Sequence, residues 1–242
     1  MKNYFITATD TDAGKTFVAC ALTKALINKG KKVAVYKPIA AGCNLVNDQL
    51  INEDAQLLSE FSNCNQSISD VNPIAFEEPI APHIAASKEN REISLTEIEQ
   101  GFTELTLLKA DINITEGAGG WRLPVFINKA KQETKQKPVF LSEFVQLTEQ
   151  DVILIVNMKL GCLNHALLTY QAIITDGLHC VAWIANSASS ESMSCLHENI
   201  ASLEQLLPFP KIAQFSFYLN ENMTVQDKIN AAANEIDLTP LI

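Results

Sequence analysis

The sequence predicts an α/β fold in which a mostly parallel β-sheet is covered by helices on both faces. Six short apolar segments alternate along the chain with stretches of helical periodicity. Several of these segments are apolar on both faces, as parallel strands buried between two layers of helices must be. We predict the strands at residues 4–7, 33–37, 112–115, 152–157, 180–185 and 212–215.

The segments between these strands predict helices. Residues 15–30 place four apolar side chains on one helical face, and Gly30 is suited to ending that helix. Three prolines within residues 73–82 predict an irregular loop, and the polar, lysine-rich segment 127–138 predicts a solvated surface insertion. Further helices are predicted near residues 52–61, 95–108, 163–176, 195–206 and 224–235.

Length, composition and charge exclude several classes of protein. Of 242 residues, 47% are apolar and 19% charged, which is a globular composition and predicts one domain over residues 1–242. The net charge of −10 argues against non-specific binding of nucleic acid. No apolar run approaches the roughly 20 residues that a membrane span needs. The N-terminus lacks the apolar stretch of a secretory signal, so we expect a cytoplasmic protein.

The first predicted strand leads into a loop suited to binding phosphate. Residues 9–16 read Thr-Asp-Thr-Asp-Ala-Gly-Lys-Thr and precede a predicted helix. Backbone N–H groups at a helix N-terminus can bind phosphate oxygens, a lysine can reach the outer phosphates, and a threonine hydroxyl can bind Mg²⁺. Lys15 and Thr16 occupy these positions, although Thr9 stands where the standard loop has its first glycine. Strand, loop and helix together predict a P-loop NTPase-like nucleotide site.

Two charged residues close predicted strands. Lys37 ends the second strand, and Glu116 follows the third and begins the loop Gly117-Ala118-Gly119-Gly120. Open α/β sheets bind ligands at the carboxyl ends of their strands. A loop almost without side chains lets a ligand approach its backbone, and a carboxylate beside it is a candidate ligand of Mg²⁺. Considered alone, a lysine like Lys37 more commonly extends into solvent, and Asp54 fits a carboxylate that stabilises the first turn of a helix.

These motifs, in their order, resemble the dethiobiotin synthetase family, the ATP-dependent ring-closing enzymes of biotin synthesis. Residues 8–16 are similar to the family's loop Gly-Thr-Asp-Thr-Glu-Val-Gly-Lys-Thr, with Ala8, Asp12 and Ala13 substituted. A single short match can arise by chance, whereas an ordered set over roughly residues 2–190 is hard to explain otherwise. The further matches are Tyr36-Lys37-Pro38, Asp54-Ala55, Val71-Asn72-Pro73, Glu78-Pro79, Pro82-His83-Ile84 and residues 116–121, 159–166 and 183–186.

The resemblance implies a homodimer that joins CO₂ to 7,8-diaminopelargonate and forms dethiobiotin, with ATP as co-substrate and Mg²⁺ as cofactor. On the matching positions, Lys37, Lys15 and Thr11 are expected to be catalytic. The expected ligands of Mg²⁺ are Thr16, Asp54 and Glu116. The expected nucleotide contacts are Asp12, Ala13, Gly14, Lys15, Thr16, Phe17, Asp54, Glu116, Gly117, Ala118, Gly119, Asn186 and Phe217.

The resemblance also implies where the diamine binds. Its expected contacts are Lys37 and Ala41, together with a segment that reaches across the dimer into the site of the other subunit. That segment comprises Gly161, Cys162, Leu163 and Asn164. Backbone N–H groups there would hold the substrate carboxylate at a helix N-terminus.

Two alanines depart from the family pattern, and three alternatives remain. Ala8 replaces a glycine, which would strain the backbone if that position required positive φ, and Ala41 replaces a serine, which removes one hydrogen bond. The chain could thus be a catalytically weakened copy. An amide-forming synthetase of the cobyrinate type usually carries an added glutamine-hydrolysing domain, for which 242 residues leave no room.

A switch ATPase of the partitioning or metal-delivery type is the third alternative. Its phosphate loop has an additional lysine near the start, whereas the loop before Lys15 contains none. From the resemblance, the negative net charge and the lack of a long apolar run, we expect small-molecule substrates and neither a nucleic-acid partner nor a membrane partner.

Overall fold

The computed structural model describes residues 1–127, 137–191, 193–217 and 223–242. Most of the lysine-rich segment predicted at residues 127–138 thus lies outside the described residues. In chain order the elements are β1 (Lys2–Ala8), α1 (Lys15–Asn28), β2 (Val33–Tyr36), β3 (Ile39–Ala41), β4 (Asn44–Val46), β5 (Gln49–Ile51), α2 (Glu53–Phe61), α3 (Ile68–Val71), β6 (Ile74–Phe76), α4 (Pro82–Lys88), α5 (Leu95–Leu107), β7 (Ile112–Glu116), β8 (Pro124–Phe126), β9 (Val139–Phe140), α6 (Leu141–Leu147), β10 (Asp151–Asn157), α7 (Cys162–Thr175), β11 (Cys180–Asn186), α8 (Leu196–Leu206), β12 (Lys211–Phe215) and α9 (Val225–Ala233).

The six strands predicted from the sequence form one central sheet. Their order is β12-β11-β10-β1-β7-β2, and every neighbouring pair is parallel. All six strands therefore end at the same edge of the sheet. From β1 the chain passes first to β2 and β7 on one side and later to β10, β11 and β12 on the other, and open α/β sheets bind ligands at such a reversal. The predicted fold class is confirmed.

Alternate side chains of the sheet enter different cores. Ile6 of β1 packs in the core that contains α1, α2 and α9, whereas its neighbour Phe5 packs in the core that contains α5 and α6. In β11, Ile184 joins the first of these cores, and Trp183 packs with α7 and α8. Since successive side chains of a strand point to opposite faces, helices cover both faces of the sheet, as predicted. None of the described helices combines the length and the apolar character needed to cross a membrane.

The structure differs from the sequence prediction where elements are short. Residues 73–82 are not an irregular loop throughout, because Ile74–Phe76 pairs with β3 as strand β6 and α4 begins at Pro82. Ile74 and Phe76 are fully buried in the core that contains α5 and α6, and this packing stabilises β6. The prolines on either side of the strand favour a loop in the sequence prediction. The helices α3 and α6, of four and seven residues, are too short to show a helical period.

The edge strand β2 is covered by side chains that follow α2. Val33 donates its N–H to Oδ1 of Asn63 at 2.8 Å, and its carbonyl accepts from the hydroxyl of Ser62 at 2.9 Å. Val35 makes the same two contacts with the side-chain amide of Gln66, at 3.0 and 2.8 Å. An edge strand with free backbone groups can pair with another chain. The side chains of Ser62, Asn63 and Gln66 therefore both hold β2 in place and prevent another strand from pairing with it.

We predict that Gln66→Ala lowers the free energy of unfolding by about 1–3 kcal/mol, because it leaves the backbone N–H and carbonyl of Val35 without their partners. Urea denaturation measures this change. The control is Gln100→Ala on the exposed face of α5, which should change stability by less than about 0.5 kcal/mol. Equal effects of the two substitutions would show that Gln66 does not stabilise the edge.

Candidate active site

A cavity of about 1070 Å³ opens at the carboxyl edge of the central sheet. Its walls come from the segments that follow β1, β2, β7, β11 and β12, and from the first turns of α1 and α2. Most of the predicted site residues line this one cavity. They are Thr11, Asp12, Gly14, Lys15, Thr16, Phe17, Lys37, Ala41, Asp54, Glu116, Gly117, Ala118, Gly119, Asn186 and Phe217.

The loop between β1 and α1 holds its shape through a glycine and an asparagine. Gly14 precedes the first residue of α1 with φ of 79°, a left-handed conformation that favours glycine. A Cβ at Gly14 would lie 2.3 Å from Nδ2 of Asn186. That same nitrogen donates to the carbonyl of Ala13 at 2.8 Å, which ties the loop to the end of β11. Conformation and close contact thus both require glycine at position 14.

The alanine at position 8 does not strain the loop. Ala8 is the last residue of β1, and its φ is not positive. The positive φ in this loop belongs instead to Asp12, at 58°, and to Gly14. Aspartate tolerates the left-handed region better than most residues. The backbone strain that we considered for Ala8 is therefore not found.

The buried carboxylate of Glu116 organises the charged end of the cavity. Glu116 ends β7 and is 1% exposed. Its Oε1 accepts a hydrogen bond from Nζ of Lys37 at 2.6 Å and another from the hydroxyl of Thr16 at 2.8 Å. Nζ of Lys37 also lies 3.7 Å from Oδ2 of Asp54. One carboxylate thus joins the phosphate loop, the end of β2 and, through Lys37, the start of α2.

Burial and neighbouring charges shift the pKa values of the two lysines in opposite directions. Burial lowers the pKa of Lys15; the carboxylate of Glu116 opposes this shift, and the positive charge of Lys37 adds to it. Burial alone would also lower the pKa of Lys37, but the carboxylates of Glu116 and Asp54 outweigh it, and the pKa is raised. Lys37 is therefore a fixed positive charge at neutral pH. Nζ of Lys15 donates to the carbonyl of Asp10 at 3.1 Å.

The same residues fit a divalent cation. Oε2 of Glu116 is buried and has no hydrogen-bond partner in the described part of the chain. A buried carboxylate oxygen without a partner is costly unless a ligand satisfies it. Among the described residues, no three His, Cys, Asp or Glu side chains are grouped so that they could hold a metal ion. An ion beside Glu116, Asp54 and Thr16 would need further oxygens from phosphate or water, as Mg²⁺ commonly does.

The glycine-rich loop after β7 lies close against β1. Gly117 donates its N–H to the carbonyl of Ile6 at 2.9 Å, and a Cβ on Gly117 would lie 2.7 Å from the ring of Phe5. Trp121 closes the loop by packing edge-on against Phe5, with ring centroids 6.0 Å apart, and its Nε1 donates to Asp176 at 2.8 Å. The loop is thereby held with its backbone facing the cavity.

Two groups of predicted site residues do not line the cavity. Ala13 is fully buried, and its carbonyl is engaged by Asn186. Gly161, Cys162, Leu163 and Asn164 lie at the start of α7, where Gly161 has φ of 94° and the preceding Leu160 is 93% exposed. An ion pair between Lys159 and Asp10 connects this segment to the phosphate loop. Residues 161–164 thus do not line the cavity of their own chain, and their predicted contact with the diamine site of a second subunit stays a prediction.

The sequence prediction also missed residues that line the cavity. Pro79 belongs to a short match with the family, so that match could have assigned it. Asn52 caps α2 through its side chain, a role typical of asparagine just before a helix. Lys228 lies on α9, beyond any matched motif, and nothing in the sequence marked it. The residues missed are Ile39, Ala40, Asn52, Leu57, Pro79, Ile80, Ala81, Pro82, Leu123, Ser187, Ala188, Ser216 and Lys228.

Solved structures of other proteins share the fold. A ParA family ATPase from Chlorobium tepidum aligns with 100% of this chain and 94% of its own, with a TM-score of 0.53 at 12% identity. The MinD cell division protein of Aquifex aeolicus aligns with 97% of this chain and 96% of its own, with a TM-score of 0.52 at 14% identity. At such low identity these likenesses show the P-loop NTPase fold alone.

Sequence comparisons are more specific. A family model described as an AAA domain matches residues 2–218. The ATP-dependent dethiobiotin synthetase BioD of Alteromonas mediterranea is 45% identical over 221 residues, which cover 90% of this chain and 93% of the relative. BioD of Cellvibrio japonicus is 43% identical over 241 residues, which cover 100% of this chain and 98% of the relative. Identity at this level over nearly the whole of both chains shows that the chain belongs to the ATP-dependent dethiobiotin synthetase family.

Proposed function

We propose that the protein joins CO₂ to 7,8-diaminopelargonate and closes the ring of dethiobiotin, while ATP is converted to ADP and phosphate. The observation that carries this proposal is the position of Lys37. Its ammonium group lies 2.6 Å from the buried carboxylate of Glu116, in the same cavity as the phosphate loop. A fixed positive charge beside a phosphate site suits a reaction in which an anion attacks a phosphate.

The reaction has two bond-forming stages. A substrate amine captures CO₂ as a carbamate, and a carbamate oxygen attacks the γ-phosphate of ATP, so that ADP leaves. The second amine then attacks the activated carbonyl, closes the ring and expels phosphate. In the first stage an anion approaches an anion, and two unit charges 4 Å apart repel by about 4 kcal/mol at an effective dielectric near 20. Reducing this repulsion is the main task of the site.

The residues of the cavity divide this task. Lys37 would bind the carbamate and neutralise its charge, whereas Lys15 and Thr11 would bind the outer phosphates. Backbone N–H groups at the start of α1 would hold the remaining phosphate oxygens. Asn186 and Phe217 line the same cavity and would contact the adenosine. The reaction would thus be accelerated by positioning and by charge stabilisation rather than by proton transfer.

We further propose Mg²⁺ as the cofactor, held by Thr16, Asp54 and Glu116. The unpartnered Oε2 of Glu116 supports this assignment. When bound, Mg²⁺ would neutralise part of the phosphate charge. The half-exposed carboxylate of Asp54 faces the cavity and would leave room for water and phosphate oxygens in the coordination shell.

The proposal includes a homodimer. Residues 161–164 resemble the family's substrate-binding segment, yet they lie outside the cavity of their own chain. A second subunit would bring this segment to the diamine, and its position next to the exposed Leu160 leaves it accessible to another chain. The backbone N–H groups at the start of α7 would then bind the substrate carboxylate.

The first prediction from the proposed function concerns the reaction itself. With ATP, Mg²⁺, bicarbonate and 7,8-diaminopelargonate, we expect one phosphate released for each dethiobiotin formed, because ring closure expels the transferred phosphate. A coupled phosphate assay with quantification of dethiobiotin by mass spectrometry measures this ratio. Phosphate release that does not depend on the diamine would instead favour a switch ATPase.

The second prediction concerns Lys37→Met, which removes the charge and keeps most of the side-chain length. We expect kcat to fall about 100-fold or more while the Kd for ATP rises by less than about tenfold, because the lysine acts mainly on the transition state and its loss disturbs the phosphate loop only through Glu116. Steady-state kinetics and calorimetric titration measure the two quantities. Lys24→Met, on α1 outside the cavity, should leave both unchanged. Equal losses in kcat and ATP affinity would make Lys37 a binding residue only.

The third prediction concerns the metal. Asp54→Asn should raise the Mg²⁺ concentration needed for half-maximal activity about tenfold or more, because it removes one anionic ligand. Binding of metal-free ATP should not weaken. The neighbouring carboxylate of Glu53 does not line the cavity, so Glu53→Gln is the matched control and should leave the Mg²⁺ dependence unchanged. The same Mg²⁺ dependence in both variants would contradict the assignment of Asp54.

A further inference from the structure

We propose that Lys228 is a third cation of the nucleotide site and that its ammonium group binds the phosphates nearest the nucleoside. The inference rests on the proposed ATP site, and neither the family motifs nor the phosphate loop assigns this residue. Lys228 is half-buried on α9 and lines the same cavity as Lys15 and Lys37.

The backbone of Lys228 is held in place at the cavity. The next residue, Ile229, is fully buried in the core that α9 shares with α1 and the sheet. The start of α9 is fixed by reciprocal hydrogen bonds between Thr224 and Asp227. Phe17, in the first turn of α1, packs against Phe215 at the end of β12, with ring centroids 5.8 Å apart. Lys228 therefore stands on a helix docked beside α1, not on a free loop.

The ammonium group of Lys228 differs from those of Lys15 and Lys37, because it has neither an ion pair nor a hydrogen bond within the described part of the chain. Lys37 pairs with Glu116, and Lys15 donates to the carbonyl of Asp10. Lys228 forms no ion pair with any residue in the described part of the chain. An ammonium group that has no partner among the described residues and lines the same cavity as an anion-binding loop is available to bind an anionic ligand.

The charges of the cavity also favour this role. Among the described residues that line it, three carry carboxylates, namely Asp12, Asp54 and Glu116, and Lys15 and Lys37 lie near them. With the proposed Mg²⁺ included, the positive charges without Lys228 would exceed those of the three carboxylates by only one, in a site that must bind a polyanionic nucleotide. In the proposed site Lys15 binds the outer phosphates and Lys37 binds the carbamate. Lys228, on the helix that packs against α1, would serve the inner phosphates.

Calorimetric titration of the full chain with ATP and with ADP tests this proposal. We expect Lys228→Met to lower the affinity for ATP and for ADP about five- to tenfold, the loss typical of one charge-assisted hydrogen bond. Lys228→Arg keeps the positive charge and should retain both affinities within about twofold. Lys29→Ala changes the net charge equally at an exposed position outside the cavity and should bind both nucleotides like the wild type.

Three results would overturn the proposal: unchanged affinity in Lys228→Met, an equal loss in Lys29→Ala, or a loss confined to ATP. Unchanged affinity in Lys228→Met would mean that this lysine extends into solvent without contacting the nucleotide. An equal loss in Lys29→Ala would mean that the net charge of the protein, not a local contact, controls nucleotide affinity. A loss confined to ATP would indicate that Lys228 contacts the γ-phosphate. A wild-type chain that binds neither nucleotide would instead contradict the proposed ATP site. The two failures are therefore distinguishable.

Discussion

The buried ion pair between Lys37 and Glu116 is the interaction on which the geometry of the cavity depends. Both side chains are at most 5% exposed, so either charge alone would be costly in this environment. The pair forms because β2 and β7 are parallel neighbours in which Tyr36 lies opposite Thr115. Lys37 follows Tyr36 directly after the end of β2, and Glu116 follows Thr115 as the last residue of β7. The same carboxylate accepts a hydrogen bond from the hydroxyl of Thr16. Strand order thus brings together groups that are distant in the sequence.

The sequence was sufficient for the parts of the fold and site that rest on long or ordered patterns. Strands buried on both faces are mostly apolar, so all six strands of the sheet could be recognised. Lys37 and Glu116 could be expected at one edge because the carboxyl ends of parallel strands meet there. The family motifs added Asp54 and Asn186, which as single residues in a helix and at a strand end have no distinctive pattern. Both line the cavity.

Other features depend on tertiary packing and could not be predicted from the sequence. The strand β6 has three residues, and it is stable because Ile74 and Phe76 are buried against neighbouring elements. The conformation of Ala8 depends on where β1 ends, which loop motifs do not specify. Lys228 enters the cavity because α9 packs against α1, a contact between residues about 200 positions apart. Residues 161–164 do not line the cavity of their own chain, and their expected contact with the diamine of a second subunit stays a prediction.

A double-mutant cycle on the free energy of unfolding tests the central role of the Lys37–Glu116 pair most directly. The single variants Lys37→Met and Glu116→Gln and the double variant would be compared by urea denaturation. Lys37→Met alone should cost about 3–5 kcal/mol because it leaves the carboxylate of Glu116 buried without its cation, and the double variant should recover about 2 kcal/mol or more of that loss. If the two single effects instead add to within about 0.5 kcal/mol, the side chains act independently and the pair does not organise the cavity.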